Sequence, residues 1–438
     1  MEKEIHKSQL DIINLAKKYL KKSKDAGVDI LTSPFCDFVI WADCIGNEKI
    51  KLINKKKKIS LGLLKSVAKE VLGIIKSTNY EIISSKIINK KKINIVYSYC
   101  SKENFKNNGV FYDKYFNYNS GKSNNIYWFL ISLDNYIPQK VKNISIIYKE
   151  NKIMNFFSFF KLIFKNLLKK NTMHCMNNTF FLSNIYANFF YKTFKSCHFN
   201  LYIPYENRPH QNAVIEVAKN ISKKNQVYGY YHRMPEPLQL EMIYKNNFLN
   251  KLYVCSKIQK DVFKKYYSWP LEKLEIINSL KYLKFYKKKN IIFLPYNIED
   301  QNFLLKKLEL LLFKTKTNIK KHSISIHNLN KNNLKHLNFK NSILDVSSKN
   351  KKDLDASIIL GEPGSVAAEM LDTVGKVYHI SNRDLNIFSE KIWKNIKVKK
   401  ISDSIFIYTK INKENFLKIN GKKNNFETLL KKNKFKRC

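Results

Sequence analysis

Along its 438 residues the chain alternates short, dense apolar runs with stretches whose apolar residues recur every three or four positions. Runs of the first kind, rich in Ile, Val, Tyr and Phe, predict strands. They fall at DFVIWAD (37–43), INIVYSY (93–99), IYWFLISL (126–133), ISIIYK (144–149), FNLYIPYE (199–206), QVYGYYH (226–232) and KLYVCS (251–256). Between two of them AVIEVAKNI sets apolar residues at 213, 214, 217, 218 and 221, one face of a helix. Strands that alternate with helices predict βαβ units and a mostly parallel sheet. A second series follows the lysine run at 287–289. NIIFLPY (290–296) reads as a strand, EDQNFLLKKLELLLF (299–313) as a helix, and SISIHN (323–328), SILDVS (342–347), ASIILG (356–361) and KVYHI (376–380) as further strands.

The expected class is therefore α/β, with two Rossmann-like domains facing a cleft. The boundaries expected are 1–285 for an N-terminal acceptor-side domain, 286–400 for a C-terminal ligand-binding domain, and 401–438 for an extension helical in its last part. In open parallel sheets, ligands sit beyond the carboxyl ends of the strands, so those ends are where chemistry is sought.

Composition changes this picture little. The formal net charge of +45 comes almost entirely from Lys, spread through every segment beside Asn and Ile, the mark of a coding bias. A nucleic-acid site calls for clustered Lys and Arg with interleaved aromatics, and that pattern is missing. What survives is an attraction for anionic substrates and for an anionic inner-membrane surface. Seven cysteines form no disulfide framework or Cys-x-x-Cys pair, which suits reduced thiols in the cytoplasm. The polar start MEKEIHKSQL is no signal peptide, and IMNFFSFFKLIFKNLLKK (153–170) is too short and too lysine-interrupted to span a bilayer. It reads as a buried or interfacial helix, so the expected place is cytoplasmic, peripheral on the inner membrane.

The candidate chemistry clusters at strand ends. FNLYIPYE runs into Glu206, with Arg208 and His210 just beyond, and QVYGYYH ends in His232, followed by Arg233. Neighbouring parallel strands would bring Glu206 and His232 to one rim of the sheet. A carboxylate beside an imidazole is what a general base needs, and either residue could be the base. In the second series, GEPGSVAAEM starts a helix directly from a strand. Gly361 and Gly364 permit a tight turn, Ser365 suits the cap, and Glu362 and Val366 complete a backbone cradle for a phosphate, with Glu369 one turn on. Tyr296 and His327 follow the first two strands of this series and line the same mouth. No Gly-x-Gly-x-x-Gly or Walker sequence occurs, and no Asp-x-Asp stands where a metal-bound pyrophosphate would need it, so no cofactor and no metal are expected.

The strand ending in LPY, the imidazole after SISI and DASIILGEPGSVAAEMLDTVGKVYHI together resemble the nucleotide-sugar domain of bacterial surface-polysaccharide glycosyltransferases with the GT-B fold, of the sialyltransferase and Kdo-transferase kind. The matching positions are Gly364, Ser365, Val366 and Glu369, with Gly364 where those relatives carry a serine. YENRPHQNAVIEVAK and VYGYYHRMPEP are similar to a pattern of surface carbohydrate biosynthesis proteins at Tyr205, Glu206, Pro209, His210, Gly229, Tyr230 and His232. Asn328 follows His327 where the sialyltransferase-like pattern has proline. The likeness spans residues 195–385. It implies a metal-independent inverting glycosyltransferase that moves a sugar from a nucleotide donor, CMP-linked among the options, to a glycan or lipid-linked acceptor of a capsule or lipopolysaccharide. Rival readings are a nucleotide-sugar epimerase or polyol-phosphate transferase of the same architecture, and a basic nucleic-acid-binding protein.

Overall fold

The computed structural model describes residues 80–85, 92–106, 109–149, 178–233, 240–280, 290–295, 300–327, 333–346, 350–361, 366–382, 392–413 and 425–433, with Ile13, Asn14, Lys17, Ile298, Phe388, Glu390 and Phe416. The expected strand at 37–43 and the apolar stretch at 153–170 lie outside the described residues.

The first sheet is built from β1 (Tyr80–Ser84), β2 (Lys92–Cys100), β5 (Ile126–Ser132), β6 (Ile144–Lys149), β7 (His198–Pro204), β8 (Gln226–Tyr230), β9 (Lys251–Val254) and β10 (Leu274–Ile276). Its order is β1-β6-β5-β2-β7-β8-β9-β10, and every neighbouring pair is parallel except β1 with β6. β3 (Tyr112–Asp113) and β4 (Tyr118–Asn119) form a separate small hairpin inserted between β2 and β5. Helices α1 (Asn178–Phe194), α2 (Pro209–Ile221) and α3 (Lys257–Lys265) supply the crossovers. Every residue of β5 is buried, as a parallel strand covered on both faces must be.

The second sheet holds β11 (Ile291–Leu294), β12 (Ser323–Ile326), β13 (Ser357–Leu360), β14 (Lys376–Ile380), β15 (Ile396–Ser402) and β16 (Ile405–Lys410), in the order β12-β11-β13-β14-β16-β15. β11 to β14 are mutually parallel, and the β15–β16 hairpin adds two antiparallel strands. Helices α4 (Gln301–Thr315), α5 (Leu334–Leu344) and α6 (Val366–Val374) complete it. The architecture is thus two Rossmann-like α/β units. The hairpin carries the second sheet past residue 400 to Lys410, further than the sequence pattern placed it.

One expectation fails outright. SILDVS is not a strand: it lies over the end of α5, which Asn333 starts by accepting a hydrogen bond from Lys335 N at 3.0 Å. His336, Phe339 and Ile343 are its buried positions, a helical spacing that outweighs the β preference of a short Ile-Leu-Val run.

Two apolar cores result. One lies over the first sheet and continues through Ile359, Ala367, Met370, Leu371 and Trp393 of the second unit. The other fills the opposite side of the second sheet with Leu294, Leu304, Leu308, Leu311, Phe339 and Ile343. After the second sheet the chain returns to the first. Phe426 of α7 (Asn425–Lys432) packs on Phe116, Tyr118 and Tyr202, and Asn200 Nδ2 and Tyr253 OH both donate to Asn433. Lys432 pairs with Glu275 on the same side.

Candidate functional site

Each sheet has one place where the order of strands reverses. In the first, β2 leads outward through β5 and β6, then the chain crosses back to place β7 on the other flank of β2. In the second, β11 leads to β12, then β13 starts the opposite direction. Loops leaving adjacent strands at such a point part to either side and leave a crevice at the carboxyl ends.

At the first point the sequence-derived residues come together. Pro204 and Tyr230 are register partners, so Glu206 and His232, each two residues further along, project from the same rim. His232 Nε2 lies 3.0 Å from Glu206 Oε1. Arg233 adds two donors, Nε to Oε1 at 2.8 Å and a terminal nitrogen to Oε2 at 2.9 Å. Arg208 Nε donates to Oε2 at 3.3 Å. The Glu206 side chain is 13% exposed, His232 7% and each arginine 20%.

Burial pushes the Glu206 carboxyl up, but the His232 hydrogen bond, the Arg233 charge and then Arg208 more than reverse this and hold it well below the usual carboxylate range. Glu206 is therefore an ionised anchor with both oxygens engaged.

The turn that presents it is locked from below. Fully buried Gln211, in the first turn of α2, accepts from Glu206 N at 2.9 Å and Arg208 N at 3.2 Å. Its amide donates to Pro204 O at 2.9 Å and Tyr99 OH at 3.3 Å. Asn207 takes the left-handed conformation at φ 59 and donates to Glu241 O and, at 2.8 Å, to Tyr244 O. A short polar side chain tolerates that backbone angle.

His210 sits apart from the Glu206 pair. Its Nδ1 shares a 2.6 Å hydrogen bond with Tyr97 OH and its Nε2 lies 3.3 Å from Tyr99 OH. Burial and the neighbouring Arg208 charge lower its pKa to about 3, so it stays neutral. Tyr115, from the β3–β4 hairpin, meets the His232 ring edge-on at 4.5 Å between centroids. Buried Asp113 holds that hairpin by accepting from Tyr115 N at 2.7 Å and Phe116 N at 2.8 Å. Sequence pattern alone did not single out Tyr97, Tyr99, Tyr115 or Gln211. For the two tyrosines of β2 a signal existed, an alternating pair at a strand's carboxyl end.

At the second point, Gly361 follows β13 with φ 104, an angle suited to glycine. Its N–H donates to Ile380 O at 2.8 Å, and its carbonyl accepts from His379 Nε2 at 2.9 Å. The backbone carbonyl fixes the tautomer, so His379 Nδ1 accepts from Tyr408 OH at 2.8 Å. Burial lowers His379 to about 4. Val366 opens α6, and Glu369 is buried in its first turn. His327 follows β12, its N–H donating to Leu294 O at 2.9 Å beside the end of β11. Tyr296, Glu362, Gly364 and Ser365 lie outside the described residues. Asp353 and Asp355 come before β13, at the amino end of the strand and away from the switch point.

Among the described residues, no helix is long and apolar enough to cross a membrane. No family model and no curated protein matches the chain. Among solved structures the chain is similar to a glycosyltransferase from Rickettsia africae ESF-5, over 69% of this chain and 88% of that one, at 10% identity and a TM-score of 0.28.

Proposed function

We propose that the protein is an inverting glycosyltransferase that moves a sugar from a nucleotide donor to a growing surface glycan on the cytoplasmic side of a bacterial inner membrane. The observation that carries the reading is the Glu206–His232 contact of 3.0 Å at the first sheet's switch point, backed by two arginines. The second sheet's switch point, ending on Gly361 and the start of α6, is the donor side.

Of the two candidate bases, the geometry favours His232. Glu206 is held ionised by three cationic or donor partners and is a weak proton acceptor, so its part is to orient the ring and stabilise the imidazolium. With Nε2–H on the carboxylate, the basic atom of His232 is Nδ1, which is closed to solvent in this structure, so the acceptor has to displace its cover to reach it. In the reaction, the acceptor hydroxyl gives its proton to His232 as its oxygen bonds the anomeric carbon. The bond from that carbon to the donor phosphate breaks, and the nucleotide leaves with the electron pair. The N-terminal end of α6, preceded in sequence by Gly364 and Ser365, receives the departing phosphate, and Glu369 holds sugar hydroxyls; Tyr296 and His327 are assigned to the donor from their places in the sequence after β11 and β12.

This division of labour has a direct test in donor turnover and donor affinity measured on the same samples. Glu206→Gln and His232→Gln are expected to lower turnover by about 10²-fold or more with donor affinity kept. Ser365→Ala and Glu369→Gln are expected to weaken donor affinity. Equal loss of donor affinity in all four would sink the assignment.

A further inference from the structure

We infer that Tyr99 is the hydrogen-bond donor that reads the acceptor at the first switch point: the protein leaves its hydroxyl proton unspent, and a hydroxyl oxygen of a sugar lying along Tyr99 and Tyr115 takes it. The inference deepens the transferase reading and rests on it for the word acceptor, but the direction of the hydrogen bonds stands on its own residues.

The argument begins with Gln211. Its Oε1 accepts from Glu206 N at 2.9 Å and Arg208 N at 3.2 Å, which fixes the two ends of the amide. Nε2 is therefore the donor to Tyr99 OH at 3.3 Å. His210 makes the other contact of that hydroxyl. Being neutral, its ring has one N–H and one basic nitrogen to divide between Tyr97 OH, 2.6 Å from Nδ1, and Tyr99 OH, 3.3 Å from Nε2. In one arrangement Tyr97 OH donates to Nδ1, and Nε2–H donates to Tyr99 OH. In the other, both bonds run in reverse. The reverse strands the hydroxyl proton of Tyr97, which is 0% exposed and bonds only His210 among the described residues. The forward arrangement leaves over only the proton of Tyr99, which is half-buried and can pass it to a bound molecule. A buried donor without a partner costs its full desolvation, so the forward arrangement is favoured. The contact at Nδ1 agrees, since 2.6 Å is shorter than the roughly 2.7–3.2 Å of an N–H donor and suits an O–H one.

Position is the second part. Tyr99 is the penultimate residue of β2, the strand about which the order of the first sheet reverses. Its ring meets Tyr115 edge to face at 6.0 Å between centroids, and Tyr115 meets His232 at 4.5 Å. A sugar against Tyr115 is thus flanked by the Tyr99 donor on one side and by His232 on the other. The bonds from Tyr97 through His210 to Tyr99 all point the same way, and each strengthens the next. Burial raises the Tyr99 hydroxyl well above its ordinary range, so it keeps its proton and gives a hydrogen bond alone. A half-buried donor held in this way discriminates by what happens when its partner is missing. A sugar with hydrogen in place of the matching hydroxyl leaves it unpaired.

The test has two arms, both on the full chain. Long-range proton–nitrogen NMR of protein labelled with 15N-histidine, assigned by comparison with His210→Gln, reads the tautomer of His210 at neutral pH. Nε2–H is expected, and Nδ1–H as the main form would overturn the inference before any ligand is added. In the second arm, methyl glycosides of glucose, galactose, mannose and N-acetylglucosamine are titrated into wild type and Tyr99→Phe by saturation-transfer NMR. At least one is expected to bind, and to bind Tyr99→Phe about tenfold more weakly. Of the monodeoxy derivatives of that glycoside, the one lacking the hydroxyl held by Tyr99 should bind both proteins alike. Thermal unfolding checks that Tyr99→Phe keeps its fold; if it does not, the tautomer decides alone. Binding of no glycoside, or an affinity indifferent to Tyr99→Phe in a folded protein, would overturn the inference. So would a loss shared equally by every deoxy derivative, the mark of a displaced Gln211 turn. Titration of nucleotides on the same samples separates this from the parent reading. Nucleotide binding without glycoside binding removes the inference alone, and glycoside binding without any nucleotide leaves the site but removes the transferase.

Discussion

Replacing Glu206 by Gln keeps the shape of the side chain and removes its charge, which leaves Arg208, Arg233 and His232 around a neutral amide. In the native cluster the carboxylate accepts at 2.8 and 2.9 Å from Arg233, 3.0 Å from His232 and 3.3 Å from Arg208. Breaking a buried ion pair by removing one partner costs about 3–5 kcal/mol. Here the carboxylate is 13% exposed and the arginines 20%, so water screens part of the loss, and the amide oxygen still accepts one hydrogen bond. A cost of about 2–3 kcal/mol is the reasoned figure, or a drop of about 4–12 °C in the Tm of the first unit. The pH dependence follows from the sign of the shift. The folded carboxyl lies below its ordinary 4.5, so its contribution is complete above that pH and disappears as pH falls through the folded value. The gap between wild type and variant should be flat through neutral pH and close in acid. Calorimetry across pH and salt reads this directly. A Tm change within about 1 °C, or a gap that vanishes in high salt, would show an ordinary surface pair and refute the reasoning.

Three further outcomes are expected. His210 and His379 are held neutral, lowered from 6.5 to about 3 and about 4, so their contributions are complete above pH 6.5 and are lost as pH falls below it. Each adds about 1.4 kcal/mol per pH unit to the acid limb, and His210→Gln should flatten that limb by one proton in urea unfolding followed against pH. Asp113 is shifted the other way, raised by burial from 3.8 to about 6, so the stability it contributes is lost as pH rises through 6. Asp113→Asn keeps an acceptor for Tyr115 and Phe116 and should stabilise by about 1–2 kcal/mol above pH 7 with no gain near pH 4. Gly229 lies under the Glu206–His232 rim, where an added Cβ would sit 3.0 Å from Tyr205 Cβ and from Leu252 Cδ1. Leu252 can turn aside but Tyr205 Cβ cannot, so Gly229→Ala should cost about 1–3 kcal/mol and lower turnover by tilting Glu206, read by thermal unfolding and rate on one sample.

Apart from the three-residue β10, the sequence made the parallel strands of both sheets legible because a strand covered on both faces has to be apolar along its length, as β5 and β13 are. Glu206 and His232 were legible for a related reason: strands in parallel register bring equal offsets past their ends to one rim. What was hidden depends on distant partners. β15 reads IKVKKIS, with lysines at 397, 399 and 400 of an edge strand, and only pairing with β16 reveals it. Tyr115 reaches His232 from a two-residue-stranded hairpin inserted after β2, and no local pattern announces that path. Gln211 was concealed by its type, since glutamine in the first turn of a helix is unremarkable until its amide is seen to hold Glu206 N and Arg208 N. The misreading of SILDVS has the same root, a β-prone triplet whose helix is decided by Phe339 and Ile343 packing together.

The central claim is that the second unit holds a nucleotide-linked sugar for transfer in the first. Its most direct measurement is a thermal-shift titration of the full chain with CMP, CDP, UDP, GDP and their common sugar conjugates, repeated on Ser365→Ala. A ligand that binds only the folded state stabilises it by about 2.7 kcal/mol at a hundredfold excess over its Kd. The account predicts a rise in Tm with one nucleotide and its conjugates, lost or much reduced in Ser365→Ala. No shift with any nucleotide, or a shift unchanged by Ser365→Ala, would contradict it.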